Sequence, residues 1–123
     1  MSPRRKTMSE IHIIKKPITR AELKKIAEER FGDLVKAAVD IEQEIMAVGG
    51  ELHMDEEVAL IEQESSKQEN VWGINIYPEE TGDEFLEIDS MINLKPALGN
   101  RSRGIDNRDI LNKVIAVVKK LII

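Results

Sequence analysis

Val35–Glu64, VKAAVDIEQEIMAVGGELHMDEEVALIEQE, is the stretch on which the fold turns, because it reads as helix or as strand depending on which signal is weighted. Ala, Glu, Gln and Met are good helix formers, and Asp33 is placed to cap a helix. The glycine pair favours strands. With Gly49-Gly50 as a two-residue hairpin turn, Val48 lies opposite Glu51 and the register follows outward. One face then receives Ala47 with Leu52, Ile45 with Met54, Ile41 with Val58 and Val39 with Leu60. The other receives Met46 with His53, Glu44 with Asp55, Glu42 with Glu57 and Asp40 with Ala59. A helix explains the first arm about as well, so strand or helix over residues 35–48 stays open. A turn at Glu42–Glu44, giving a three-strand meander, stays open too.

The flanks are clearer. Ile11–Lys15 is a short apolar run stopped by Pro17 and reads as a brief strand. Thr19 and Glu22 form a capping box, Leu23, Ile26, Ala27 and Phe31 share a helical face, and Gly32 is placed to end that helix in a left-handed conformation. In Val71–Tyr77, Trp72, Ile74 and Ile76 face one way, and Pro78 ends the strand. Phe85–Lys95 reads as a longer strand with Leu86, Ile88, Ile92 and Leu94 buried and Glu87, Asp89, Asn93 and Lys95 exposed. Asp106 or Asn107 can cap a last helix with a wide apolar stripe from Ile110 to Ile122, and Lys119 and Lys120 complement its dipole. The expected fold is α+β: a mainly antiparallel sheet of four to five strands with two helices packed on one face.

At 123 residues the chain suits one domain, 11–123, behind a disordered basic leader, MSPRRKTMSE, in which Met8 is an alternative start. No apolar run approaches a membrane span, so no membrane partner is expected. A net charge of -5 argues against nucleic acid. The sequence contains no cysteine, which excludes disulfides, thiolate metal sites and cysteine nucleophiles and points to a reducing cytoplasm.

Three segments, VDIEQEIMAVGGELHMDEE, NVWGINIYPE and FLEIDSMINLKPALGNRSRG, resemble a family of small prokaryotic proteins, domain of unknown function 5674. The resemblance runs from Ile11 to the end. It implies one intact domain and carries no reaction, ligand or catalytic residue with it.

Three constellations could carry chemistry. In the hairpin register, Asp40, Glu42, Glu44, Glu51, His53, Asp55 and Glu57 share a face, and carboxylates set opposite one another favour a divalent cation, with Asp40, His53 and Asp55 as candidate metal ligands. The same residues read equally as a solvated acidic face. The loop LGNRSRGID brings Asn100, Arg101, Ser102 and Arg103 together as an anion-binding candidate, although it matches neither GxxxxGK[ST] nor GxGxxG. The plainer reading pairs the arginines with carbonyls or with Asp89 and Glu87. Glu87, Asp89, Asn93 and Lys95, joined by Asn75 and Tyr77 from the neighbouring strand, form a third polar row that matches metal-dependent nucleases poorly. His53, among acids, is expected to be protonated, and His53, Asp55 and Asp89 are the catalytic candidates.

The leading functional expectation is a cytoplasmic binding or interaction module taking a small anionic ligand. It is expected to be a homo-oligomer through a sheet edge or the aliphatic ending VIAVVKKLII. The alternative is a metal-dependent, phosphodiesterase-like hydrolase built on the acidic hairpin face and the arginine loop.

Overall fold

The computed structural model describes residues 11–123 and shows a five-stranded antiparallel sheet with three helices. In chain order the elements are β1 (His12–Ile14), α1 (Arg20–Glu28), β2 (Val35–Asp40), β3 (Ile45–Val48), α2 (His53–Glu64), β4 (Val71–Ile76), β5 (Leu86–Glu87) and α3 (Arg108–Leu121). The sheet order is β1-β3-β2-β4-β5. The α+β class with a mainly antiparallel sheet holds; the basic leader lies outside the described residues. Among the described residues no helix is long and apolar enough to cross a membrane.

The capping box is present: the Thr19 hydroxyl accepts from Glu22 N, and the Glu22 carboxylate accepts from Thr19 N. Gly32 adopts φ 95°, and its N–H returns to the Ala27 carbonyl. Asn107 caps α3 by accepting from Ile110 N. α1 and α3 bury Leu23, Ala27, Val114, Val118 and Leu121 on the sheet face made by Val35, Ala37, Val39, Trp72, Ile74 and Ile76. The aliphatic ending is largely absorbed here. Val117 is buried, and the backbone of Ile123 bonds to Ile18 and Arg20.

The middle of the chain differs from expectation. The hairpin turns at Ile41–Glu44 rather than at the glycines, and β2 pairs with β3 so that Ala37 faces Val48 and Asp40 faces Ile45. Asp40 builds the turn. Its Oδ1 accepts from the N–H groups of Glu42 and Gln43, and its Oδ2 accepts from Gln43 Nε2 and Ser66 Oγ. The segment after the glycines is helix α2, so the two-glycine register and its acidic face are not formed.

The reason is visible in what α2 buries. His53, Glu56, Glu57 and Leu60 lie at helical spacing i, i+3, i+4 and i+7 and all face inward, while Leu52, Met54, Val58 and Ile61 stay exposed. A buried stripe made of three ionisable residues and one leucine gives no apolar helical signal, and the exposed apolar residues mimic a strand. Leu60 joins Ala38, Ile45, Ala47, Val71 and Ile92 in a second core on the sheet face opposite α1 and α3.

The second difference lies after β5. The expected strand through Lys95 ends at Glu87, and residues 88–104 form an irregular loop with short 3-10 turns at Met91–Asn93 and Pro96–Leu98. Two residues of the expected exposed row are inside: Asn93 is fully buried and Lys95 nearly so. Leu94, expected inside, is exposed. The loop docks on β4 at Gly73, where the Asn93 amide accepts from Gly73 N at 2.7 Å and donates to Gly73 O at 3.0 Å. A side chain thus makes the two bonds that a neighbouring strand would make.

Close approach requires a glycine at that point. A Cβ on Gly73 would lie 2.5 Å from Ser90 Cβ. Gly73→Ala is therefore expected to lower unfolding stability by about 1–3 kcal/mol, the usual cost of overpacking. Urea denaturation checks this, and an unchanged midpoint contradicts the docking.

Candidate functional site

α2 and the 88–104 loop stand over the same sheet face and meet in the core that holds Leu60 and Ile92. Between them lies an open cleft of about 700 Å³. Its floor is the pair Lys36 and Asn75, cross-strand partners on β2 and β4. One wall comes from His53, Met54 and Glu57 of α2, the other from Asp89–Ile92, Leu94 and Arg103, and Phe31 and Leu34 close one end.

His53 begins α2 and is held from below, its Nε2 donating to the Ile74 carbonyl at 2.8 Å. A carbonyl can only accept, so the proton sits on Nε2 and Nδ1 is left as an acceptor. Burial pushes the His53 pKa below its ordinary value against the opposing pull of that hydrogen bond. The expected protonated histidine among acids is corrected: this imidazole favours the neutral form.

Glu57 lies one turn further along, nearly fully buried, and its Oε2 has no hydrogen-bond partner. Burial raises its pKa, opposed by the charge of Lys95. Lys95 is lowered by the same burial; its Nζ donates to the Gln68 carbonyl and lies 5.1 Å from the centre of the Trp72 ring. On the floor, Asn75 Nδ2 donates to Glu87 Oε1, and a hydrogen bond between the Asn75 side chain and His53 is a further pull that raises the His53 pKa against burial. On the far wall Arg103 pairs with Asp89, Nε to Oδ1, and the Ser90 hydroxyl accepts from Ile92 N.

Of the nine large apolar side chains exposed among the described residues, five line this cleft: Phe31, Leu52, Met54, Met91 and Leu94. The polar floor therefore sits inside an apolar rim.

The candidate residues divide accordingly. His53, Asp89 and Arg103 share the cleft, whereas Asp55 and Arg101 do not line it. Asn100 is a structural residue: its Nδ2 donates to the carbonyls of Asn93, Ser102 and Gly104, and its Oδ1 accepts from Asp106 N. Ser102 donates to Asp106, and Arg101 has an exposed side chain. The anion-binding loop is thus mostly committed to its own folding. Asp40, His53 and Asp55 do not come together, and among the described residues no group of three or more His, Asp or Glu is placed to hold a metal. Asn75, expected in the third polar row, lines the cleft, whereas Phe31, Lys36, Met54 and Met91 are the site residues that sequence reasoning missed. The signal available was the cluster of exposed methionines and leucines once α2 is read as a helix.

An antiparallel α+β domain with one amphipathic cleft is the class that this fold and site define. The chain belongs to the family described as "Protein of unknown function (DUF5674)", whose model matches residues 12–121. No curated protein and no solved structure matches the chain.

Glu56, beside the cleft residues on α2, supplies a titration test of this geometry. It is fully buried, Oε2 accepts from Gly50 N at 2.8 Å, and Oε1 has no partner. Burial raises its pKa well above the ordinary 4.5, with the Gly50 bond opposing. Above about pH 4.5 the folded state then holds a proton that the unfolded state releases, so stability falls as pH rises towards the raised value. Glu57 contributes with the same sign. His53 has the opposite sign, losing stability as pH drops below about 6.5. Glu56→Gln is expected to flatten the decline in Tm on the alkaline side, measured by calorimetry from pH 5 to 9. Identical slopes in variant and parent contradict a protonated Glu56.

Proposed function

We propose that this protein is a binding module and that the cleft between α2 and residues 88–104 receives a small amphipathic molecule. The observation that carries the reading is the rim: five exposed large apolar side chains gathered around one opening whose floor is polar. Scattered apolar residues on a surface are ordinary, whereas a contiguous patch around a concavity is the usual mark of a binding site. The volume lies within the range of small-molecule sites. Met54 and Met91 line the cleft from different elements, and unbranched, polarisable methionines adapt to a ligand without a fixed shape.

Binding is favoured over catalysis because three reactive groups of the cleft each hold a structural partner, although Glu57 Oε2 does not. His53 Nε2 is spent on Ile74, Asp89 on Arg103, and the Ser90 hydroxyl accepts from Ile92 N. The absence of cysteine from the whole sequence is in keeping with work in a reducing cytoplasm.

Methionine methyl NMR tests the reading. With Met Cε labelled by ¹³C, a library of amphipathic fragments is expected to shift Met54 and Met91 and to leave Met46, buried in the core, in place. Met91→Glu, an exposed change, is expected to weaken those hits about tenfold while the protein stays folded. Hits that leave both rim methionines unmoved overturn the assignment.

A further inference from the structure

The identity of the ligand's polar head rests on the binding reading above and is decided by lining charges that do not cancel. Asp89 and Arg103 form an ion pair on one wall and offset each other. Glu57 is favoured in its protonated form by burial and, when ionised, is offset by the charge of Lys95. Glu56 is fully buried and does not line the cleft, and burial favours its protonated form too. Burial first, and then the charge of Lys36, hold His53 towards neutrality against its hydrogen bonds to Ile74 and Asn75.

Lys36 is left over. It lines the cleft, is only partly buried, and belongs to no ion pair among the described residues. Its ammonium lies 5.5 Å from the centre of the Phe31 ring, a neighbour that attracts a cation without neutralising it. A second set of donors comes from Arg103, which engages Asp89 through Nε and leaves its terminal N–H groups unbonded. Of the loop residues expected to hold an anion, Arg103 is the one that lines this cleft.

The surplus decides the sign of the head. A cation meets Lys36 with nothing to offset it, and a neutral head leaves the lone charge as it stands. A monoanion matches it. A dianion exceeds it, and its second charge faces Asp89 on the wall. Among monoanions, a planar carboxylate suits both an ammonium and a guanidinium fork.

We infer that the cleft binds a small ionised carboxylic acid, its carboxylate paired with the Lys36 ammonium, with the terminal N–H groups of Arg103 as further donors and an apolar body held by the rim. The head supplies the charge that the lining lacks, and the methionines and leucines cover the body.

Three probes of one shape separate the head groups: 4-phenylbutyrate, 4-phenylbutyramide and 4-phenylbutylamine, titrated at pH 7 into protein carrying ¹⁵N amides and ¹³C methionine methyls. Acetate supplies the head without the body, and an acetylated Ala-Ala-Leu peptide with a free C-terminus supplies the same carboxylate on a polypeptide. Phenylbutyrate is expected to shift Lys36, Met54 and Met91. It is expected to bind at least about tenfold tighter than the amide, the amine or acetate, the equivalent of one hydrogen bond to a charged group. Lys36→Met is expected to abolish the advantage of the acid over the amide, and Lys36→Arg to keep it. An advantage that survives Lys36→Met overturns the pairing, and the order of the three probes in the unaltered protein reads the same pairing without any substitution. Tighter binding of the amide or the amine overturns the anionic head while leaving the binding site intact. Acetate binding as tightly as phenylbutyrate overturns the apolar body. Tighter binding of the peptide overturns the small-molecule assignment in favour of a polypeptide C-terminus. Failure of every probe to shift the cleft, where the amphipathic fragment library does shift Met54 and Met91, overturns the acid head alone. Failure of both overturns the binding site as well.

Discussion

One side chain holds the architecture of the cleft together. β5 pairs with β4 only at Asn75 and Ile76, so β4 presents an open edge from Gly73 backwards. Open edges must be covered or they pair with something else. Here the Asn93 amide takes the place of a strand by satisfying both the N–H and the carbonyl of Gly73. Its second amide hydrogen reaches the Arg103 carbonyl, and its own carbonyl accepts from Asn100. Asn93 thus ties the loop to the sheet, and Asn100 ties the middle of the loop to its end. The loop can then stand as a wall of the cleft, with Ile92 packed in the same core as Leu60 of α2.

The opposite wall is built on a different compromise. α2 turns His53, Glu56 and Glu57 inward, which an ordinary amphipathic helix would reserve for aliphatic residues. Burying them is unfavourable unless each finds a partner or gives up its charge. His53 does both, being depressed towards neutrality and bonded to Ile74. Glu56 finds Gly50 for one oxygen only. Glu57 finds none for its buried oxygen. A helix that keeps unmet polar groups inside, while leaving Leu52 and Met54 exposed at the rim, does so at some cost to its own stability.

Local signals in the sequence were legible wherever short-range chemistry decides structure. The Thr19–Glu22 capping box, the left-handed Gly32, the Asn107 cap and the Trp72, Ile74, Ile76 row each needed only neighbours a few residues away. In the middle, the strands over residues 35–48 and the turn at Glu42–Glu44 were among the readings left open, but the choice between turns and the helix after the glycines were not legible, because the decisive facts there are tertiary. Asp40 makes its turn partly through Ser66, which is distant in the chain, and α2 lacks both a side-chain N-cap and an apolar buried stripe. The stretch after β5 misled in the same way. Asn93 reads as an exposed strand residue until Gly73 is beside it, since an asparagine that replaces a strand leaves no periodic trace. The cleft was legible in part: Arg103 with Asp89 could be anticipated from charge and Asn75 from its place beside the polar row of Glu87 and Asp89, but Met54 and Met91 belong to the site only once both walls are in place.

The central claim is that the cleft is preformed, its far wall locked to β4 by Asn93. Native-state hydrogen exchange at the Gly73 amide addresses this most directly, because that N–H lies on the sheet edge where no strand partner exists. The account predicts exchange as slow as that of the Ala37 and Val39 amides inside β2. Exchange at the rate of an unpaired edge amide would show that the wall is not held in place, and the cleft would lose its claim to be a site.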